Sequence, residues 1–401
     1  MANNRLGKEF AFTAILPFSS LFWTIRQNRS NAYPLVFGLF FFFIGTQIIA
    51  NESNDIGRYM LTFSSLANSP NTTFLAYFYS LAESNQIDFY LPFMTWLISK
   101  ITTSTQLFAG ILAMCTGLCF GLNIAYISRQ LKTNSLCITL LLLTLLFVPN
   151  PSYYTHRWWM AMQVFLVGAL PYILEGKYKY LLFSIASIFV HFSMLYPLVL
   201  LLVYRFIPKK SLLPFVGLFI VANLVEELDI SAIADAFKNL LPEAFNSRNE
   251  AYINAEKFDH NWFSQSGRFV WKLINMVMTL YIYVRLRKRL DSRNDLKNLF
   301  AISLLIGSFA AVANMTEWGW RFLDLSNFLF CSLYILIFAD EETFGFNFTR
   351  TIRICSPFFL YVILFQIRGL CAIIGLKALF FGNIFTTWFI EDTVSILSIV
   401  K

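Results

Sequence analysis

Tyr154-Thr155-His156-Arg157-Trp158-Trp159 runs straight into the apolar stretch Met160 to Leu174. The charged turn Glu175-Gly-Lys-Tyr-Lys179 follows, and then a second apolar stretch from Tyr180 to Val190 that ends at His191. Two apolar runs joined by a short basic, glycine-containing turn predict a hairpin of membrane helices. Arg157 opens the first helix and His191 stands eleven residues into the second, so the hairpin sets them opposite each other. A polar site towards one membrane face is the first expectation.

Outward from this hairpin the same pattern recurs over the whole chain. Of 401 residues, 57% are hydrophobic and only 13% charged, and the mean hydropathy is +0.59. Few water-soluble folds hide so much apolar surface, and the chain reads as an all-α, polytopic integral membrane protein forming one membrane-embedded domain over residues 1–401. The net charge of +8 is spread over the ends of apolar runs, where it sets topology, and nucleic acid is not an expected partner. The six cysteines lie in or beside apolar stretches without zinc-site spacing, and read as buried thiols. The first apolar run, Phe10 to Thr24, is broken by Pro17 and lacks a small-residue cleavage site, so no signal peptide is expected. It reads as an interfacial amphipathic helix or a short hairpin.

Basic residues orient the rest. Arg5, Lys8, Arg26 and Arg29 favour a cytoplasmic start, and Tyr33 to Ala50 is the first span. Residues 51–103 read as an external segment with helices along the surface, Phe89 to Ile101 being the best of them. The spans Gln106 to Ile127, Leu136 to Val148 and Met160 to Leu174 follow. Tyr180 to Phe206 is either one long tilted helix or two half-helices hinged between His191 and Pro197. Leu212 to Val225 leads to a large external loop, 226–267, with eight acidic residues against three basic ones. Arg285-Leu-Arg287-Lys288-Arg289 marks the cytoplasmic side after Arg268 to Val284, and further spans cover Leu299 to Ala313, Phe322 to Phe338 and Ile354 to about Leu376. Counting the hinged piece once, about ten membrane segments result.

Four arginines stand at expected external ends of spans: Arg58, Arg157, Arg268 and Arg321. Each reads either as a headgroup anchor or as a ligand for phosphate oxygens, which guanidinium groups bind in bidentate fashion. Arg157 and Arg321 are the sharper candidates, since each opens a span beside tryptophan. Two or three converging arginines could hold a diphosphate without a metal or other cofactor. His191 lies in apolar sequence where an unpaired imidazole is costly; it is either a hydrogen-bonded structural residue or a base for a sugar hydroxyl. His156 is a second such candidate, and His260 reads as solvated. Asp55, with Glu52 before it and Glu83 and Asp88 later in the segment, is solvated or serves as base or metal ligand. Trp158, Trp159, Trp318 and Trp320 are interfacial belt residues or platforms for sugar rings. No phosphate-binding glycine loop, HExxH or GxSxG occurs, which leaves nucleotide hydrolysis and metalloprotease chemistry without support.

The order of these features, Asp55-Ile-Gly-Arg58-Tyr59 after the first span, Arg157 opening a later one, Ser187-Ile-Phe-Val-His191-Phe-Ser193 at a hinge, and Trp320-Arg321 opening a late span, resembles the EpsG family of polysaccharide polymerases. These are Wzy-like proteins of O-antigen (lipopolysaccharide), capsule and exopolysaccharide pathways. The resemblance implies a membrane-embedded glycosyltransferase of the GT-C kind in the bacterial cytoplasmic (inner) membrane. It would join oligosaccharide repeat units carried on undecaprenyl diphosphate at the outer face, with a chain-length regulator as a possible partner. It further implies Arg157, His191 and Arg321 as the polar signature and Asp55 and Arg58 as a first-loop pair. Here Asp88-Phe-Tyr-Leu-Pro92 leads directly into apolar sequence, which departs from the pattern for the acids. Two other classes stay open: a lipid-monophosphate-dependent sugar transferase resting on Glu52 and Asp55, and a transporter or flippase, which would need a polar path through the membrane.

Overall fold

Proline, glycine and N-capping serine punctuate the apolar runs into helices. The computed structural model describes residues 2–28, 31–49, 55–82, 88–131, 135–151, 154–207, 211–225, 262–314, 319–390, 392 and 394–400, and no strand occurs among them. Glu52, Glu83, Trp318, His260 and loop residues 226–261 lie outside this set. The helices are α1 (Ala2–Ile15), α2 (Pro17–Arg26), α3 (Tyr33–Thr46), α4 (Asp55–Ala67), α5 (Phe74–Ala82), α6 (Tyr90–Ser99), α7 (Thr105–Arg129) and α8 (Leu136–Leu146). After them come α9 (Arg157–Glu175), α10 (Leu181–Val190), α11 (Leu195–Phe206), α12 (Leu213–Val225), α13 (Trp262–Tyr281), α14 (Asn294–Ala313), α15 (Trp320–Ala339) and, past a short turn, α16 (Phe346–Cys371). Six of the described helices are long and apolar enough to cross a membrane, and five apolar helical stretches are shorter. At 1.5 Å per residue, the 20 residues of α14 or α15 match a hydrocarbon layer of about 30 Å. The chain is an all-helical, polytopic membrane protein.

The helices gather into two compact units, residues 1–195 with 363–401, and residues 196–362. In the first, α3 and α7 pack with backbones in near contact along small residues. A Cβ on Gly117 would lie 2.5 Å from the Phe37 carbonyl oxygen, and one on Gly121 2.6 Å from that of Tyr33. Such small-residue faces bring membrane helices together where lipid supplies no hydrophobic drive. Asn123 on α7 donates its amide to Gln163 on α9, reaching the side-chain oxygen at 2.9 Å and the backbone oxygen at 3.0 Å. Between α9 and α10 the chain turns at Gly176, whose φ of 67° places it in the left-handed region a helix C-terminus favours. The expected hairpin is therefore present, with Ser184 Oγ donating to the Phe165 carbonyl at 3.0 Å. The C-terminal tail returns to this unit, where the Ile49 N–H donates to Ile373 and the Ile384 N–H to Ala14. Residues 10–24 form the hairpin alternative. α1 and α2 break at Pro17, and Thr24 Oγ1 reaches the Glu9 carboxylate across the bend.

In the second unit α15 is buried along nearly all its length and forms the core. Buried amides on α13 and α15 satisfy one another, with Asn275 donating to Asn327 at 2.8 Å and the Tyr334 hydroxyl donating to Asn275 at 2.9 Å. Phe219 of α12 lies over Gly307 of α14 and against Phe330. Arg293, ahead of α14, pairs with Asp295 and Asp340. Two expected boundaries move. The stretch assigned to an external loop up to residue 267 is already helical from Trp262, which places Arg268 inside α13 and not at its opening. Helical structure also continues past Tyr281 through a π-turn at Ile282–Leu286 into Arg287–Leu290, so the basic cluster decorates a helix end.

Candidate functional site

The second membrane hairpin segment breaks at His191. Pro197 has no N–H and its ring disfavours a helical carbonyl four residues back, at Ser193, so an uninterrupted helix from 181 to 206 is ruled against locally. The chain ends α10 at Val190, extends at His191 (φ −153°, ψ 120°), makes one turn of 3₁₀ helix over Phe192–Met194 and resumes as α11. A break in apolar surroundings leaves backbone groups without helical partners. Residues 88 and 89 supply them: the Phe89 N–H donates to the Phe189 carbonyl at 3.0 Å, and Asp88 Oδ1 accepts from the Phe192 N–H at 3.0 Å.

Asp88 is only 4% exposed, and its other oxygen, Oδ2, lies 2.8 Å from Nη1 of Arg157. One carboxylate thus joins the start of α9 to the residue that follows His191 at the break. Asp88 belongs to the external segment whose acids depart from the family pattern in the sequence. Its signal was an acid standing immediately before an apolar helix, where a carboxylate must find cations or N–H donors. Arg157 is the first residue of a 19-residue helix with no acidic residue in its first turn. A cation at the positive end of the helix dipole is unfavourable unless anions compensate it. Asp88 compensates it in part, and the side chain stays 25% exposed.

His191 Nδ1 accepts from the Ser193 N–H at 3.2 Å and lies 2.8 Å from Ser193 Oγ. A backbone N–H can only donate, so Nδ1 is the unprotonated nitrogen and the neutral ring carries its proton on Nε2. The ring caps the 3₁₀ turn through Nδ1, which is the hydrogen-bonded role that the sequence left open beside that of a base for a sugar hydroxyl.

A second cluster adjoins the first. His156 is the N-cap of α9, directly before Arg157. Its Nδ1 lies 3.8 Å from Asp55 Oδ2, while Asp55 Oδ1 pairs with Arg58 one turn further along α4. Tyr59 and Trp159 meet the imidazole edge to face, with centroids at 6.2 and 5.9 Å. Among the described residues no three His, Cys, Asp or Glu side chains gather as metal ligands would; Asp55 meets Arg58 and His156, and Asp88 meets Arg157 and the Phe192 N–H. Trp158 and Trp159 are 2% and 1% exposed and pack edge to face. Both are buried within the protein and leave no open ring face for a sugar, although Arg157 beside them stays a quarter exposed.

The second unit holds Arg268, Trp320 and Arg321. The guanidinium carbons lie 5.6 Å and 5.8 Å from the centre of the Trp320 ring, so two cations share one indole. Arg321 is the second residue of α15, whose first turn again has no acid, and its Nε is buried without a hydrogen-bond partner. This repeats the pattern of Arg157, a guanidinium at the positive end of a long membrane helix.

A family model described as the EpsG family matches residues 31–366 of the chain, a range holding every residue of these clusters. Comparisons with curated proteins and with solved structures return no match.

Proposed function

The chain belongs to the EpsG family, and from that premise we infer that it is a polysaccharide polymerase, a membrane-embedded glycosyltransferase of the GT-C kind. Its substrate is an oligosaccharide repeat unit on undecaprenyl diphosphate, polymerised at the outer face of the bacterial cytoplasmic membrane into O-antigen, capsule or exopolysaccharide. Six long apolar helices and the shorter ones, with the halves around His191 counted together, support about ten crossings.

The observation that carries this reading is the placing of Arg157 and Arg321 at helix N-termini without first-turn acids. A guanidinium and a helix N-terminus are each attractive to phosphate oxygens, and together they form a strong anion site. A lipid diphosphate is already a good leaving group. The enzyme must neutralise the charge that grows on it and remove a proton from the attacking hydroxyl, with no nucleotide required. In this reading Arg157 and His191 Nε2–H face the leaving diphosphate. Arg321 and Arg268, flanking Trp320, bind phosphate or glycan, and Asp55 and Arg58 serve the acceptor. Membrane lipid and a chain-length regulator are the expected partners.

The test is polymerisation by the purified protein in lipid nanodiscs supplied with undecaprenyl-diphosphate-linked repeat units. Long glycan without added metal or nucleotide is the expected product. Formation of product only from lipid monophosphate donors, or only with a divalent cation, would overturn the assignment in favour of the lipid-monophosphate-dependent transferase.

A further inference from the structure

The two histidines of the first unit are held in opposite ways. His191 keeps its lone pair at Nδ1, turned to Ser193, and so presents an N–H. At His156 the nitrogen that faces a carboxylate is Nδ1, 3.8 Å from Asp55 Oδ2. A neighbouring carboxylate stabilises the tautomer with the proton on the nitrogen facing it, and this leaves the lone pair on Nε2. Asp55 is itself anchored, because Arg58 pairs with Oδ1 while Oδ2 faces the imidazole. The His156 side chain is 12% exposed and that of Asp55 30%, so the pair is sheltered but reachable. Its place in the chain adds the last requirement, since His156 immediately precedes Arg157.

We propose that Asp55 and His156 form the general-base pair of the polymerase, with His156 Nε2 as the proton acceptor and Asp55 as the residue that orients it. This rests on the polymerase reading given above. The step balances as follows. The acceptor sugar hydroxyl gives its proton to His156 Nε2, and its oxygen forms a bond to the anomeric carbon of the donor. The bond from that carbon to the diphosphate oxygen breaks with its electron pair leaving on the diphosphate. The proton on the imidazolium then passes to solvent. A separation of 3.8 Å is longer than a hydrogen bond, and such contacts in catalytic pairs tighten when substrate is bound. Among the described residues, Asp55 faces the ring with Arg58 paired to it, and Tyr59 and Trp159 pack against the ring.

Full-length protein carrying His156→Gln, Asp55→Asn or both is compared with wild type in the nanodisc assay, along with binding of the lipid-diphosphate substrate and the melting midpoint. His156→Gln should lower turnover by roughly 10² to 10⁴ with binding and melting unchanged. Asp55→Asn should lower it by roughly 10 to 100, as loss of an orienting partner does, and the double variant should be no slower than His156→Gln alone. Turnover of His156→Gln within about threefold of wild type overturns the proposal, as do losses that multiply in the double variant or a loss explained by weaker binding. Should Gln lower the melting midpoint, Asp55→Asn decides alone, and activity near wild type overturns the pair. A wild-type protein that makes no polymer would bring down the function itself. Normal polymer from His156→Gln brings down only this assignment.

Discussion

Replacing Asp88 tests whether one carboxylate organises the start of α9 and the break at His191 together. Asp88→Ala removes the acceptor of the Phe192 N–H, and a buried donor left unsatisfied costs about 1–3 kcal/mol. It also removes the counter-ion of Arg157. For a fully buried pair that loss is about 3–5 kcal/mol, but water reaches a quarter of this arginine, so about 1–2 kcal/mol is the reasonable share after screening. Asp88→Ala should therefore lose about 2–5 kcal/mol by these two routes. Asp88→Asn keeps an oxygen for the Phe192 N–H and forfeits only the charge, so its loss should stay near about 1–2 kcal/mol. The assay is thermal unfolding of the detergent-purified protein followed by tryptophan fluorescence, with polymer formation measured beside it. The expected order of melting midpoints is wild type, Asn, Ala. Both variants should polymerise poorly, because Arg157 loses the group that holds its guanidinium in place. An Ala variant as stable as wild type, or an Asn variant as damaged as Ala, would refute the two-sided role of the carboxylate.

Four further outcomes are expected. Arg157→Lys and Arg321→Lys should abolish long polymer at normal protein level, because a point charge does not reproduce a bidentate fork; normal polymer from both, measured on glycan gels, would make them membrane anchors. His191→Ala should reduce turnover roughly 10²-fold to 10³-fold, as loss of a transition-state donor does, and His191→Gln, which keeps an N–H, should lose clearly less. Equal losses would mean that a titratable ring is needed and that His191 is itself the base. Gly168→Ala should lower the melting midpoint, since its Cβ would lie 2.5 Å from the Tyr180 carbonyl oxygen and force α9 and α10 apart; an unchanged midpoint would refute that packing. Single cysteines at Ser247 and Ser292, in a cysteine-free background, should label from opposite sides of the membrane, and labelling from one side would overturn the orientation.

The sequence by itself determined what depends on local pattern. Long apolar runs without charge leave no alternative to membrane helices, because backbone groups in hydrocarbon must be satisfied within the segment. The turn Glu175-Gly176-Lys177 predicted a hairpin, and Pro197 marked a break upstream of itself, where the chain does unwind at His191. Arg157 at the head of its helix was legible for the same reason, since a cation at the start of an apolar run is a purely sequential feature.

Only the tertiary structure decided what depends on groups far apart in the chain. Asp88 meets Phe192 across 104 positions, and nothing near residue 88 encodes that partner. The tautomer of His191 follows from a turn that forms once the break is held. The pairing of His156 with Asp55 needs the N-terminal ends of α4 and α9 to meet, and the burial of Trp158 and Trp159 depends on which neighbours pack around them. Hydropathy and helix punctuation act over a few residues and survive in any single sequence. Which polar groups meet is set by helix packing, where one buried carboxylate takes whatever donors the assembled fold brings to it.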